Sequence, residues 1–238
     1  MMQSQENVRS IFNSVSKKYD LMNDLMSLGL HRLWKRHFCS YVENLNSKII
    51  DVASGSGDIA HYLYKKAQKQ NTSPDITLSD INENMLELAK EKFFNSGLYD
   101  NFKYVIADSS SLPFADNTFD YYTVAFGIRN MENIQLVLNE AHRILKPGGK
   151  FLCLEFSKPS LTMIKKLYDI YSFKIIPKIG KYIAKDQNAY EYLVESIRAF
   201  PDQNIFASMM EKAGFKVCSF ENINFSISSI YYGYKNKM

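Results

Sequence analysis

The chain has 238 residues, of which 46% are hydrophobic and 23% are charged, and its formal net charge is +4. This length and composition are typical of one globular domain with a substantial buried core. The weak positive charge does not by itself indicate nucleic-acid binding, because dedicated binders cluster their charge and have a higher pI. We therefore expect no nucleic-acid partner.

The chain also lacks the usual signs of membrane insertion, secretion or metal binding. No stretch approaches the roughly 18 apolar residues of a spanning helix, and we expect no secretory signal peptide. The three cysteines, Cys39, Cys153 and Cys218, lie far apart, which favours reduced thiols and offers no metal-type pair. We expect a cytoplasmic protein without a metal site.

The predicted elements alternate between strands and helices. Apolar runs and amphipathic segments predict strands at 47–53, 75–79, 102–107, 119–126 and 150–156, and helices at 58–69, 83–95 and 132–145. This alternation implies a parallel sheet with helices on both faces. Two antiparallel strands, near 214–217 and 225–234, would close it. The prediction is an α/β fold with a seven-strand, mostly parallel, Rossmann-like sheet, in one domain over 1–238.

Two regions fall outside this alternation. Residues 1–46 read as a helical cap that is rich in polar and aromatic side chains, and residues 157–200 read as an insertion that resembles a lid. Both could cover the crevice at the carboxyl ends of the strands. The Lys146–Gly149 segment predicts a type II turn, with proline and glycine at its two central positions.

The loop after the first strand predicts a nucleotide-type ligand. Gly55 and Gly57 allow close approach of the backbone, and Ala60 completes a spacing that dinucleotide-binding proteins also use. Asp80 ends the second strand, where its carboxylate can accept hydrogen bonds from both hydroxyls of a ribose. The alternatives are a plain tight turn and a helix N-cap at Asp80.

A second acidic position strengthens the adenosine interpretation. Asp108 follows the third strand, where it can accept a hydrogen bond from an adenine amino group, and the backbone N–H of Ser109 can donate to a ring nitrogen. The alternative is a polar turn. These residues leave three classes open: a methyltransferase that uses S-adenosylmethionine, an NAD-dependent oxidoreductase and a non-catalytic adenosine-binding module.

Two longer motifs narrow the choice. Residues 19–34, YDLMNDLMSLGLHRLW, and residues 143–159, RILKPGGKFLCLEFSKP, resemble the two signatures of the ubiquinone/menaquinone biosynthesis C-methyltransferases. Residues 126–130, FGIRN, are also similar to that family. The resemblance runs from about residue 8 to the C-terminus. One departure is Ala53, which stands where many methyltransferases carry the first glycine of the loop.

The resemblance implies that S-adenosylmethionine is the cofactor and that it donates a methyl group to a ring carbon of a prenylated hydroquinone, either demethylmenaquinol or the corresponding ubiquinol precursor. It implies a cofactor site formed by six residues. These are Gly55, Ser56, Gly57, Asp80, Asp108 and Ser109.

The reaction so implied needs help with a phenol proton. A ring carbon is a poor nucleophile until the neighbouring phenol, with a pKa of about 10, is deprotonated. Arg129 is the candidate cation, with a surface salt bridge as the alternative, and His31 is the candidate base or orienting group, with a structural role as the alternative. Candidates for the acceptor pocket, or alternatively for capping and packing, are Tyr19, Asp20 and Asn23.

A lipid acceptor also implies peripheral contact with an anionic membrane surface. The lid region interleaves basic and apolar side chains, as interfacial segments do, with a solvated helical face as the alternative. Its lysines are Lys165, Lys166, Lys174, Lys178, Lys181 and Lys185. The oligomeric state is open, with a homodimer as one alternative.

Overall fold

The computed structural model describes residues 24, 27, 29–158 and 187–237, except for the side chains of 187–191 and 193. Its strands are β1 (Lys48–Val52), β2 (Asp75–Asp80), β3 (Phe102–Ile106), β4 (Phe119–Ala125), β5 (Leu145–Phe156), β6 (Lys216–Ile223) and β7 (Ser228–Tyr234). Its α-helices are α1 (His31–Ser40), α2 (Asp58–Lys69), α3 (Glu83–Asn95), α4 (Ile134–Ile144), α5 (Gln187–Ala199) and α6 (Gln203–Lys212). Short 3-10 helices span Tyr99–Asn101 and Ile128–Asn130.

The seven strands form one sheet in the order β3-β2-β1-β4-β5-β7-β6. Strands β1 to β5 pair parallel with one another, whereas β7 pairs antiparallel with both β5 and β6. The predicted fold class is confirmed.

The core consists of two apolar layers because the central strands are buried on both faces. In β1 the neighbours Ile49 and Ile50 are fully buried and belong to opposite layers. One layer receives side chains from α1, α2 and α3, and the other from α4 and α6. A nearly continuous apolar run is what a covered parallel strand requires. The predicted helices on both faces are therefore confirmed.

Several element boundaries differ from prediction. The closing strands β6 and β7 span Lys216–Ile223 and Ser228–Tyr234 rather than 214–217 and 225–234, and β5 and α4 begin at other residues than predicted. Strand β5 begins at Leu145 rather than at residue 150, because Leu145 pairs with Phe119 before the register shifts. Gly148 within that irregularity has φ +79°, as the second central residue of a type II turn requires. Helix α4 begins at Ile134 rather than at residue 132, because the side chain of Asn133 caps it.

The two regions outside the sheet are described in part. Helix α1 lies within the predicted cap of residues 1–46, and α5 lies within the predicted lid of residues 157–200. Residues 159–186 and most of residues 1–28 lie outside the described residues. In the part of the chain that is described, no helix is both long enough and apolar enough to cross a membrane.

Candidate active site

The candidate site is the crevice where β1 adjoins both β2 and β4. In an α/β sheet, ligands bind at the carboxyl ends of the strands where the order of the strands reverses. The loop after β1 lies there. The N–H of Ser54 donates to the carbonyl of Ser79 at 3.1 Å, and the N–H of Gly57 donates to the carbonyl of Ser54 at 2.9 Å. The loop is thereby fixed against β2.

The backbone of this loop requires glycine at position 57. Gly57 has φ +78°, and a Cβ there would lie 2.7 Å from the ring of Phe93. The predicted tight turn between strand and helix is confirmed. The hydroxyl oxygen of Ser54 is buried and has no hydrogen-bond partner among the described residues. An unpaired buried hydroxyl costs stability, so a ligand that hydrogen-bonds to it is favoured.

Asp80 lies beneath the loop at the end of β2. Its Oδ2 accepts a hydrogen bond from the N–H of Gly55 and its Oδ1 accepts one from the N–H of Asn82, each at 2.9 Å. Burial raises the pKa of Asp80 above its ordinary value, against the opposing effect of these N–H groups. The N-cap of α3 is Asn82, whose side chain accepts from the N–H of Asn84. The alternative interpretation of Asp80 as the helix cap is therefore wrong.

Two apolar side chains beside Asp80 were missed in the sequence. Ile81 is 40% exposed, and Ile106, which pairs with Asp80 across the sheet, is 52% exposed. Isoleucine exposed at a crevice can cover the flat face of an aromatic base. The sequence offered one signal for these two residues, which is that each lies at or just beyond the end of a predicted strand.

Asp108 forms a turn at the end of the next strand. Its Oδ1 accepts hydrogen bonds from both the N–H and the hydroxyl of Ser110, each at 2.8 Å. Ser109, the residue between these two in the chain, is half-buried. The N–H of Ala107 donates to the carbonyl of Asp80 at 3.1 Å, which holds this turn against the end of β2. The structure therefore brings together Asp80, Asp108 and the glycine loop, as the strand order predicted.

Asp51, within β1, is a buried acid that the sequence analysis did not select. The hydroxyl of Thr123 lies 2.9 Å from its Oδ1, whereas its Oδ2 is buried without a partner among the described residues. Burial raises the pKa of Asp51 to about 7. Asp51 could have been selected from the sequence, because it is an acidic residue within the apolar run Lys48–Val52. A bound cation, such as an ammonium or sulfonium group, would stabilise its ionised form.

We expect Asp51→Asn to stabilise the protein without cofactor and to weaken cofactor binding. Because the folded pKa is raised, the contribution of Asp51 to stability is complete below its ordinary pKa of about 4 and is lost as pH rises through about 7. The amide that replaces the carboxyl in the variant does not ionise, so its contribution to stability does not fall as pH rises. Thermal unfolding from pH 4 to 8 should show a smaller decline for the variant. Identical pH profiles for variant and wild type would contradict the assignment.

The segment after β4 packs tightly against the glycine loop. Phe126 has φ +58° although it is bulky and only 1% exposed, which indicates local backbone strain. The next residue, Gly127, lies so close to Ala53 that a Cβ on Gly127 would be 2.6 Å from the Cβ of Ala53. Ala53 itself has φ +50°. The two loops that border the crevice are therefore in contact at these two small residues.

We expect Gly127→Ala to destabilise the protein by about 1–3 kcal/mol through overpacking, and to weaken cofactor binding by displacing Ala53. Gly127 has φ −112°, so backbone strain does not contribute. Adding Ala53→Gly should restore both properties, because it removes the opposing methyl group and suits a left-handed φ. Denaturant unfolding of both single variants and the double variant measures the coupling. Additive effects would contradict the proposed contact.

Arg129, the candidate cation, is held in a buried ion pair rather than at the surface. Its Nη1 donates to Oε1 of Glu155 at 2.7 Å and to the carbonyl of Phe126 at 2.6 Å. The two charged side chains are 1% and 0% exposed. The Nε of Arg129 is buried without a partner among the described residues. The alternative of a surface salt bridge is therefore wrong in its location, and Glu155 is a partner that sequence reasoning missed.

His31 lies in the first turn of α1 and is 2% exposed. Its Nδ1 is 3.0 Å from the hydroxyl of Ser27 and 3.6 Å from Oδ1 of Asp24. Burial, assisted by the charge of Lys35, lowers the pKa of His31 to about 4. The imidazole is therefore neutral at physiological pH. The other acceptor-pocket candidates, Tyr19, Asp20 and Asn23, lie outside the described residues.

These residues fit an adenosine-type cofactor with a cationic end. The exposed isoleucines can cover the base, and Asp80 can accept hydrogen bonds from the ribose. The buried Oγ of Ser54 can hydrogen-bond to a polar group at the loop, and Asp51 can balance a positive charge. The buried oxygens of Asp51 and Ser54, which have no partner in the described part of the chain, are polar groups that a ligand would satisfy.

The fold is that of Rossmann-like methyltransferases, and this site fits their cofactor, S-adenosylmethionine. The sequence profile of the ubiE/COQ5 methyltransferase family matches residues 1–235, and the chain belongs to that family. The oxidoreductase alternative has no support, because the match to the family covers nearly the whole chain.

Relatives and solved structures agree with this assignment. The ubiquinone/menaquinone biosynthesis C-methyltransferase UbiE of Rickettsia bellii (strain OSU 85-389) is 52% identical over 233 residues, which are 98% of this chain and 94% of the relative. The protein of the same name from Rickettsia felis is 54% identical over 96% of this chain and 92% of its own.

The solved structures share the fold at low sequence identity. A SAM-dependent methyltransferase from Thermotoga maritima has a TM-score of 0.65 at 16% identity and covers 95% of this chain and 99% of its own. One from Aquifex aeolicus has a TM-score of 0.62 at 20% identity, with coverages of 92% and 96%.

Proposed function

We propose that the chain transfers a methyl group from S-adenosylmethionine to a ring carbon of a prenylated hydroquinone in ubiquinone or menaquinone biosynthesis. The observation that carries this proposal is 52–54% identity to the UbiE enzymes over nearly the full chain. The glycine loop, Asp80 and Asp51 support the cofactor. Six residues would hold it: Gly55, Ser56, Gly57, Asp80, Asp108 and Ser109.

Bound S-adenosylmethionine supplies an electrophilic methyl group on a positively charged sulfur. Asp51 within β1 would balance a positive charge of the cofactor, and Asp80 would orient the nucleoside through its carboxylate. The ring of Trp34 lies 6.4 Å from that of Phe126, so helix α1 covers the side of the crevice next to β4. Both rings are buried in the core, at 3% and 1% exposed, so they close this side of the crevice against water.

Arg129 assists the acceptor through a fixed hydrogen-bond donor rather than through net charge. Glu155 balances the charge of its guanidinium, and the carbonyl of Phe126 accepts a hydrogen bond from Nη1. The Nε–H, buried without a partner among the described residues, can donate to a developing phenolate oxygen. Such a preorganised donor lowers the pKa of the phenol, whose proton passes to solvent. The bond from the methyl group to sulfur would break as the bond to the ring carbon forms, S-adenosylhomocysteine would leave, and the ring carbon would lose its own proton to solvent as aromaticity returns.

His31 acts as an orienting hydrogen-bond partner in this proposal. A base with a pKa of about 4 takes a proton only weakly from a phenol with a pKa of about 10. With the proton on Nδ1, where it donates to the Ser27 hydroxyl, the neutral ring can accept a hydrogen bond from the acceptor hydroxyl at Nε2.

The experiment that tests this function compares acceptors side by side. Purified protein receives cofactor labelled in the methyl group, together with demethylmenaquinol or the corresponding demethylated benzoquinol, each presented in detergent. Label in either extracted quinol supports the proposal, and the ratio of the two rates identifies the preferred ring. Cofactor binding without label in either quinol would contradict the proposed acceptor and favour an adenosine-binding module.

We also propose peripheral contact with an anionic membrane surface through the lysines of the lid, all of which lie outside the described residues. The support is chemical, because the proposed acceptor is a lipid and each lysine near such a surface contributes about 1 kcal/mol. We expect replacement of Lys174, Lys178 and Lys181 by Gln to weaken pelleting with anionic vesicles at low salt, while cofactor affinity stays unchanged.

The matched control removes the same charge from exposed lysines elsewhere, namely Lys65, Lys69 and Lys212. Wild-type binding should fade as salt is added, because the charge interaction is screened. Equal pelleting of both triple variants would exclude the lid as the membrane contact and leave the proposed methyl transfer untouched.

A further inference from the structure

Helix α1 is joined to the cofactor loop by a partly buried ion pair. The Nζ of Lys35 lies 2.7 Å from Oδ2 of Asp58, and the lysine side chain is only 7% exposed. Asp58 directly follows Gly57 and is the first residue of α2. The pair therefore connects the helix that carries His31 to the last turn of the glycine loop.

Asp58 is fixed from a second side by α3. The Nζ of Lys92 lies 2.6 Å from Oδ1 of Asp58 and 3.4 Å from the carbonyl of Ser56. Burial acts to raise the pKa of Asp58, but Lys35 and Lys92 outweigh it and hold the pKa below its ordinary value. Asp58 is therefore ionised at physiological pH, and Lys92 contacts both Asp58 and the Ser56 carbonyl of the loop.

Lys35 and His31 are four residues apart in α1, so their side chains lie on one face of the helix. The far end of α1 is held differently. The Nζ of Lys66, from α2, donates to the carbonyls of Cys39 at 3.0 Å and Val42 at 2.6 Å. Lys35 thus holds the middle of α1 and Lys66 holds its C-terminal end, and of these two lysines Lys35 is the one that contacts Asp58 beside the loop.

We infer that Lys35 is a positioning residue that makes the placement of His31 depend on the cofactor loop, so that the acceptor pocket is completed only when the cofactor is bound. This inference rests on the proposed function. A cofactor seated on Ser54–Gly57 restrains Asp58, Asp58 restrains Lys35, and Lys35 sets the first turns of α1. The cofactor binds first and the acceptor second. By linkage, the acceptor raises cofactor affinity by the same factor as the cofactor raises acceptor affinity.

Hydrogen exchange of the α1 amides, with and without S-adenosylhomocysteine, tests the inference directly. In the wild type, S-adenosylhomocysteine should slow exchange in the first turns of α1. Lys35→Met should remove this response, whereas Lys35→Arg should retain it because the charge remains. Lys66→Met is the matched control. It removes a lysine between α1 and α2 at the far end of the helix, and it should keep the response.

Kinetics provide a second readout that general destabilisation would not produce. Lys35→Met should raise the KM for the acceptor about tenfold or more, as expected when a distant change misplaces a site. The Kd for S-adenosylhomocysteine should change less, because Lys92 still holds Asp58. Lys66→Met should leave both constants close to those of the wild type.

The outcomes separate this inference from the proposed function. If S-adenosylhomocysteine binds the wild type but protects α1 equally in wild type and Lys35→Met, the inference is wrong and the methyltransferase function stands. If S-adenosylhomocysteine does not bind the wild type, both are wrong. Loss of protection in Lys66→Met as well would show that any weakening of α1 suffices, which would also overturn the inference.

Discussion

Replacing Asp80 with alanine should weaken binding of S-adenosylmethionine at least a hundredfold. Two charge-assisted hydrogen bonds to the ribose are lost, at about 1.5–3 kcal/mol each. The carboxylate also accepts from the N–H of Gly55, so the loop loses a support at the same time. Calorimetric titration of the folded variant measures the effect.

Asp80→Asn separates these two contributions. The amide oxygen can still accept from one backbone N–H, but the negative charge is absent and one acceptor becomes a donor. We expect an intermediate affinity and an unfolding temperature close to that of the wild type. If Asp80→Ala binds as tightly as the wild type, the ribose assignment is wrong. Circular dichroism will show whether Asp80→Ala is folded. If that variant is unfolded, the affinity of Asp80→Asn tests the ribose assignment instead.

The second large effect is expected from Arg129→Lys, which should lower the single-turnover rate of methyl transfer about 10- to 100-fold with little change in cofactor affinity. Lysine retains a positive charge opposite Glu155. It therefore avoids the cost of about 3–5 kcal/mol that an unpaired buried charge would incur. It lacks the planar fork and the Nε donor. Rapid-quench measurements report the chemical step directly.

Arg143→Lys is the matched control for this change. Arg143 also contacts carboxylates, those of Glu140 and Asp116, but it lies on α4 and is 34% exposed. We expect its single-turnover rate to equal that of the wild type. Equal rates for Arg129→Lys and wild type would contradict the assigned role of Arg129 and leave it as a structural ion pair.

The local features of the site could be predicted from the sequence. Gly57 and Asp80 follow directly from strands whose apolar runs are easily recognised, and parallel strands bring their carboxyl ends to one edge. The bounds of α2 and α3 agree with prediction because both begin directly after short polar turns and are clearly amphipathic. The position of Asp108 followed from the same argument.

Pairs that depend on the tertiary structure could not be predicted. Glu155 lies 26 residues from Arg129, and Lys35 lies 23 residues from Asp58, so no local pattern joins either pair. Glu155 and Asp51 nevertheless carry one signal in the sequence, because each is an acidic residue within an apolar strand. Charged side chains are rarely fully buried without a partner, and this rule would have selected both positions before the fold was known.

Methyl transfer to a ring carbon is tested most directly by identifying which atom of the product carries the methyl group. The enzyme is incubated with S-adenosylmethionine carrying a ¹³C-labelled methyl group and with reduced demethylmenaquinone, and the extracted product is examined by carbon NMR. We predict a single labelled resonance of a methyl group bonded to the ring carbon, which disappears in the Asp80→Ala sample. A labelled methoxy resonance, or no labelled quinone despite bound cofactor, would contradict the claim.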